Sequence, residues 1–511
     1  MIDYVLPSLL NLIDPFNIGL MLLGLTGGII TGALPGLSAT MGVALMVPVT
    51  FPTSGLIMLG AIYVGAIYGG ANSAILICTP GTPSSVATTF DGWPLTQRGE
   101  ADVGLYTSLI SSGIGGFIGV IFLLCLARPL AHFALSFGGS ENFWLCLFGL
   151  STIAVMSPGN MGKGIVSGAI GLLVSTIGLD PNTGTPRFTF GAYSLSQGIS
   201  VIPCMIGLFS FSQVLFLLGS NKKFVAEYHP HKGVFYKTFK HLVTRCKTIL
   251  LRSSLIGTAI GMLPGAGGEI ASIIAYNESK RWAKDPSKYG TGIIEGVASS
   301  ESANNAVIGG SLIPMLTLGI PGSAVAAVIL GAIMAHGIQP GFKIFTATPD
   351  LTYTFIFSQF AVNILLIPIG YLLCRIMARL LTIRLTFIAV GIVVLSFIGA
   401  YAIANSMVDI WTVVAFGFVG YFGGRLGMDT GAMALGVILG PMIEENLGKC
   451  LDLSVSVSGG LLEVLTEGVI NKVLIAALIL SVATPLFIIF RKRTGSGKSS
   501  GGVQTDAKEY E

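Results

Sequence analysis

The residues best placed to do chemistry in this chain lie in short polar interruptions of long apolar runs. Two interruptions share a Leu-Pro-Gly core: Leu34 Pro35 Gly36 Leu37 Ser38 Ala39 Thr40, and Leu263 Pro264 Gly265 Ala266 Gly267 Gly268 Glu269. Each is followed by a polar-in-apolar patch and then a second proline break. In the first half these are Ala71 Asn72 Ser73 Ala74 and Gly81 Thr82 Pro83 Ser84 Ser85; in the second, Ala303 Asn304 Asn305 Ala306 and Gly319 Ile320 Pro321 Gly322 Ser323. Proline removes a backbone donor and glycine admits left-handed conformations, so a helix cannot continue unchanged through such a stretch. A helix beginning just after a break offers free amides to a carboxylate, and the carbonyls freed before it suit a cation.

One half of such a site would come from Pro35, Gly36, Ser38, Thr40, Asn72, Ser73, Thr82, Ser84 and Ser85. The other would come from Pro264, Gly265, Gly267, Gly268, Glu269, Asn304, Asn305, Pro321, Gly322 and Ser323. The bland alternative for each Ser, Thr or Asn is packing between membrane helices, and for the Pro-Gly stretches, surface turns. Glu269 is more telling, because a carboxylate inside a membrane is costly to keep. Glu278 and Glu301 read as lying at or near the cytoplasmic edge. No catalytic residues and no metal-ligand set are expected.

The elements that must position these residues are membrane helices. With 52% hydrophobic residues, 10% charged and a mean hydropathy of +0.81, the chain is an all-α polytopic membrane protein rather than a soluble domain. The apolar arms around Pro264 run from Ser253 to Leu263 and from Ile270 to Tyr276. Eleven helical residues rise roughly 16 Å, about half of a hydrocarbon core near 30 Å, so neither arm spans alone. A re-entrant hairpin follows, with a second around Pro35 between Ile18–Leu34 and Ala39–Phe51. From Leu56 the chain is expected to cross in two pieces, broken at Asn72 and again at Pro80 to Pro83. About 11–12 membrane segments plus the hairpins are expected in all.

Charge orients this frame. Asn221 to Arg252 carries eight basic residues, among them Lys237, Arg245 and Lys247, against Glu227, and Asn277 to Gly296 is basic again, so both flank the second hairpin on the cytoplasmic side. The polar loop Asp91 to Asp102 is expected inside, the stretches 180–197 and 336–350 outside, and Glu444, Glu445, Asp452, Glu463 and Glu467 in an outer acidic loop. Met1 to Asn17 has Asp3 and Asp14 without Lys or Arg, which favours the outer, periplasmic face for the N-terminus, and without a basic n-region, short apolar core and small-residue cleavage site no removable signal peptide is expected. Two inverted-topology repeats result, each with a hairpin and a broken helix. The domains are 1–220 (first repeat), 221–252 (basic linker), 253–493 (second repeat) and 494–511 (disordered cytoplasmic tail).

Seven cysteines without CxxC spacing argue against a disulfide framework or metal site. A phosphate loop and HExxH are absent, and the GxSxG match at Gly497 to Gly501 lies in the polar tail without a preceding strand, so neither an ATP-driven pump nor a membrane hydrolase is indicated. What remains is a gradient-coupled carrier in which one repeat-derived unit moves against the other. A passive anion channel or a scaffold for partner subunits would be the other classes. Nothing in the composition suggests nucleic acid.

Gly32 to Pro48, Ala66 to Leu95, Gly261 to Arg281, Glu295 to Ser323 and Ala335 to Gly341, the last reading AHGIQPG, are similar to the TctA-type large permease subunit of tripartite tricarboxylate transporters. The similarity covers nearly the whole chain and fades in the tail. It implies a bacterial inner-membrane, multi-pass permease working with a small four-helix TctB-like membrane subunit and a periplasmic TctC-like solute-binding protein. It further implies cation-driven uptake, often with Na⁺, of carboxylates such as citrate, with no cofactor.

Overall fold

The computed structural model describes residues 2–34, 36–50, 55–155, 161–180, 183–218, 231, 233–265, 267–380, 385–456 and 460–495. Pro35, Ala266, most of the basic linker before Gly233 and the tail after Gly495 lie outside them. The described chain is helical, apart from one small antiparallel pair, Gly178–Leu179 with Pro186–Arg187. The first half runs through α1 (Ile2–Ile13), α2 (Pro15–Ala33), α3 (Ala39–Met46), α4 (Gly55–Ile77), α5 (Val86–Gln97), α6 (Ala101–Phe133), α7 (Gly139–Val155), α8 (Met161–Ser175), α9 (Val201–Met205) and α10 (Ser212–Leu218). The second continues through α11 (Val234–Arg245), α12 (Lys247–Gly261), α13 (Gly267–Arg281), α14 (Ile294–Leu318), α15 (Ala324–Ala335), α16 (Phe342–Thr346), α17 (Pro349–Leu380), α18 (Leu385–Ala404), α19 (Met407–Arg425), α20 (Thr430–Ser454), α21 (Gly460–Thr466) and α22 (Val469–Gly495).

Six spans among the described residues are long and apolar enough to cross a membrane: Pro15–Ala33, Gly55–Ile77, Ala101–Ser136, Val201–Leu218, Pro349–Met377 and Met407–Arg425. A seventh arises if the bent pair Gly460–Thr466 and Val469–Ala483, angled at 86°, counts as one. The shorter apolar helices, α3, α8 and α15 among them, fall below the length needed to cross, so the described residues give fewer spans than the about 11–12 expected.

Two helices form the centre. All but the last residue of α4 is buried, and α14 is buried from Gly296 to Thr317. Glycine sets their contacts. A Cβ on Gly28 or Gly32 of α2 would stand 2.5 or 2.0 Å from the carbonyl oxygen of Ile62 or Ala66 in α4. In the second half a Cβ on Gly257 or Gly261 of α12 would stand 2.2 or 2.6 Å from that of Ala303 or Val307 in α14. Backbones this close admit no side chain. The reciprocal contacts agree, Gly69 against Ile29 and Gly310 against Thr258.

This packing corrects the motif alignment of the two halves. It pairs Ile62 with Ala303 and Ala66 with Val307, so the counterpart of Asn304 is Tyr63, not Asn72. Both asparagine patches are helical, and α4 runs unbroken through Asn72 to Ile77 instead of crossing in two pieces. The interruptions that do occur are residues 78–82 and 319–323.

Three loop assignments also change. Asp91 is a buried residue of α5 whose Oδ1 accepts from the amides of Gly290, Gly292 and Ile293, while Oδ2 accepts from Tyr276. It fastens the entry of α14 to the first half. Glu444, Glu445 and Asp452 lie within α20, which continues past Pro441 and Gly448 to Ser454. The linker's last residues, from Lys247, already belong to α12.

Candidate substrate and ion site

The second Pro-Gly stretch is a tight helix-turn-helix. Gly265 (φ +76°) and Gly267 (φ +57°) adopt left-handed conformations that turn α12 into α13. The first turn of α13 then meets the break of the other half. A Cβ on Gly268 would lie 2.6 Å from Asn304 Oδ1 and 2.8 Å from Ser84 Cβ. Gly268, Asn304 and Ser84, all expected in the site, are thus neighbours.

The first break folds back along α4. Its Gly81 amide donates to the Gly70 carbonyl at 3.1 Å, and Thr82 Oγ1 lies 2.9 Å from Ser85 Oγ and 3.2 Å from Ser84 Oγ. Ser73 donates to the same Gly70 carbonyl. Gly81 presses on the Gly32 carbonyl, where a Cβ would stand 2.0 Å away. The second break repeats the arrangement. Gly322 donates to Ser311 at 3.4 Å and presses on the Gly261 carbonyl, where a Cβ would stand 2.1 Å away. After buried Pro321, Ser323 caps α15 by accepting from the Ala326 amide at 3.2 Å.

Across the pseudo-equivalent position, the Tyr63 hydroxyl of α4 lies 2.8 Å from Ser323 Oγ and 3.3 Å from Ser311 Oγ. Helix α15, which follows the second break, packs on α3 of the first helix pair. Around that first tip, Gly36 (φ +91°) sits against Leu217, and Ser38 caps α3 through the Met41 amide. Thr40 is buried in the first turn of α3. Pro35 lies outside the described residues, and Pro264 is half-buried in the second turn.

The buried asparagines are the sharpest chemical feature. Both amide atoms of Asn72 and of Asn304, and Oδ1 of Asn305, make no hydrogen bond to the protein. An unpaired buried polar group costs roughly 1–3 kcal/mol, so such groups point to a ligand or ion. Asn305 Nδ2 donates to Ser112 Oγ at 2.8 Å, which in turn donates to Glu301 Oε2 at 3.2 Å. Glu301 is fully buried inside the helix bundle rather than on its surface. Glu269 is the reverse case: it sits on an exposed face of α13 in electrostatic reach of Asp429, the N-cap of α20.

Sequence reasoning missed Tyr63, Thr88, Ser108, Ser112 and Glu301. The signal was present in part, since Ser108, Ser111 and Ser112 interrupt the apolar run of α6 at helical spacing toward α14. Beside the second break a cavity of about 500 Å³ opens between Thr317 and Leu318 of α14, Pro340 and Lys343, and Met442 and Lys449 of α20.

Long apolar helices that enclose small, unpaired polar groups where broken helices meet define a polytopic membrane protein of the transporter class. The chain belongs to the tripartite tricarboxylate transporter TctA family, whose model matches residues 18–435. It is 35% identical over 445 residues, 86% of this chain and 88% of the relative, to an Agrobacterium vitis protein described as "Uncharacterized 52.8 kDa protein in TAR-I ttuC' 3'region". A second Agrobacterium vitis protein, "Uncharacterized protein in TAR-II ttuC' 3'region", is 39% identical over 198 residues, 39% of this chain and 82% of that one. No solved structure matches the chain.

Proposed function

We propose that the chain is the membrane permease of a binding-protein-dependent secondary transporter that imports an organic acid, a tricarboxylate such as citrate or a related carboxylate, on a Na⁺ or H⁺ gradient. The observation that carries this reading is the meeting of Gly268, Ser84 and Asn304, which sets the helix start of one half beside the break and the unpaired amide of the central helices. Backbone amides and hydroxyls there suit a carboxylate, and free oxygens suit a cation. In this reading the Pro-Gly turns are re-entrant hairpins, the halves have inverted topology, and the protein lies in a bacterial inner membrane with its N-terminus outside and its C-terminus inside. A small four-helix subunit and a periplasmic solute-binding protein complete it.

The test is uptake of radiolabelled citrate and a panel of di- and tricarboxylates into proteoliposomes containing this chain, the small subunit and the binding protein, with imposed Na⁺ or H⁺ gradients. Gradient-dependent accumulation and stimulation of exchange by substrate on the opposite side are expected. Equilibration without accumulation under either gradient would instead indicate a channel.

A further inference from the structure

Glu301 is not among the groups proposed above to hold the carboxylate substrate, and it is fully enclosed at the centre of the molecule. It lies on α14 one turn before Asn304 and Asn305. Its Oε1 accepts from Thr88 of α5 and its Oε2 from Ser112 of α6. Asn304 and Ser108 face it as well, without forming a bond of good geometry. All of these neighbours are neutral. Hydroxyl and amide donors spread the charge of a carboxylate but do not cancel it, and an uncompensated charge in the interior is strongly unfavourable.

Several charges on the surrounding elements have other partners, and Glu269 of α13 lies in electrostatic reach of Asp429. Tyr68 of α4 is the titratable group in electrostatic reach. Asp91 of α5 is held by loop amides, Asp102 of α6 by His231, Glu278 of α13 by Arg281, and Glu295 of α14 by His241. Arg128 of α6 faces Tyr353, Arg252 of α12 lies over Trp282, and Lys343 of α16 binds Gln339. Among the described residues, no Lys, Arg or His forms an ion pair with Glu301. Among the described residues nothing supplies a compensating charge, which leaves a proton or a bound cation to neutralise the carboxylate.

We propose that Glu301 is the coupling residue, binding the monovalent cation that travels with the substrate. Asn304 and Ser108 face the carboxylate and Asn305 shares Ser112 with it, so their oxygens are the groups that would join it around a dehydrated Na⁺, while a proton needs the carboxylate alone. The chemistry shared by both is neutralisation: a proton would pass from water on one side to the carboxylate and back to water on the other, and Na⁺ would exchange its hydration oxygens for these. This inference rests on the carrier reading above.

The test compares the wild type with Glu301→Gln and Glu301→Asp in the complete three-component proteoliposomes. Accumulation is read under a Na⁺ gradient at equal pH and under a pH gradient without Na⁺, and substrate exchange is read with no gradient. Glu301→Gln copies the neutral side chain, so at least a tenfold loss of accumulation with persisting exchange is expected. Glu301→Asp keeps the charge and is expected to accumulate with a higher half-saturating cation concentration. Whichever gradient drives the wild type identifies the ion. Wild-type accumulation by Glu301→Gln overturns the coupling role, as does loss of exchange together with accumulation. Failure of the wild type to accumulate under both gradients overturns the carrier reading itself.

Discussion

At the scale of single residues, the useful distinction is between polar groups that hold the protein together and polar groups that the protein leaves unanswered. Ser38 and Ser323 cap helices, and Asp91 collects three loop amides. Asn72 and Asn304 make no bond with either amide atom. Removing a group that makes no hydrogen bond forfeits none, so Asn304→Ala should change unfolding stability by less than about 1 kcal/mol. Substrate-dependent stabilisation of the purified protein against heat should nevertheless disappear. An Asn304→Ala variant that unfolds far more readily than the wild type, or that keeps its ligand response, would make Asn304 a packing residue. The sequence announced these asparagines because polar side chains stand out in apolar runs. It could not rank the carboxylates: Glu269, beside a Pro-Gly turn, looked buried and is exposed, whereas Glu301, among serines, looked peripheral and is fully enclosed. Burial of a charge depends on which helices close around it, and no local pattern records that.

At the scale of elements, glycine does the work that large apolar side chains do in soluble cores. In α2, Gly27 and Gly28 are adjacent and have opposite surroundings: a Cβ on Gly27 meets nothing within 4 Å, and one on Gly28 would stand 2.5 Å from the Ile62 carbonyl oxygen. Backbone cannot swing aside as a side chain can. Gly28→Ala should therefore separate α2 from α4 at a cost of about 1–3 kcal/mol. Gly27→Ala should be neutral or stabilising by up to about 1 kcal/mol, through helix propensity. Thermal unfolding in detergent would separate the two, and equal effects would mean that α2 and α4 do not pack through this face. The turns of both helix pairs were legible from Pro and Gly, whose backbone restrictions act locally. The register between the halves was not, because Asn72-Ser73 and Asn304-Asn305 look alike in sequence, while the spacing of the packing glycines equates Asn304 with Tyr63.

At the scale of the whole molecule, the way the halves interlock limits how they can move. Helix α6 of the first half crosses α14 of the second at backbone contact. A Cβ on Gly115 would stand 2.0 Å from the Ser302 carbonyl oxygen, one on Gly119 2.5 Å from that of Ala306, and one on Gly309 2.2 Å from the Gly119 carbonyl carbon. Close-packed backbones do not slide past one another without opening voids, which argues against a motion of one entire half over the other. This packing predicts that the central helices α2, α4, α5, α6, α12, α13 and α14 act as one body drawn from both halves, with movement at its contacts with peripheral helices such as α7, α8, α20 and α22, which pack mainly among themselves. Thr88 of α5 and Ser300 of α14 place their hydroxyls 3.2 Å apart across the two halves, close enough for a cysteine pair to bridge with a small shift. In a background lacking the native cysteines, of which Cys78 and Cys125 are exposed, oxidation of a Thr88→Cys, Ser300→Cys protein should alter its substrate exchange by less than about twofold relative to the same protein reduced. Arrest on oxidation, reversed by a reductant, would show instead that the two halves separate along α5 and α14 in every cycle.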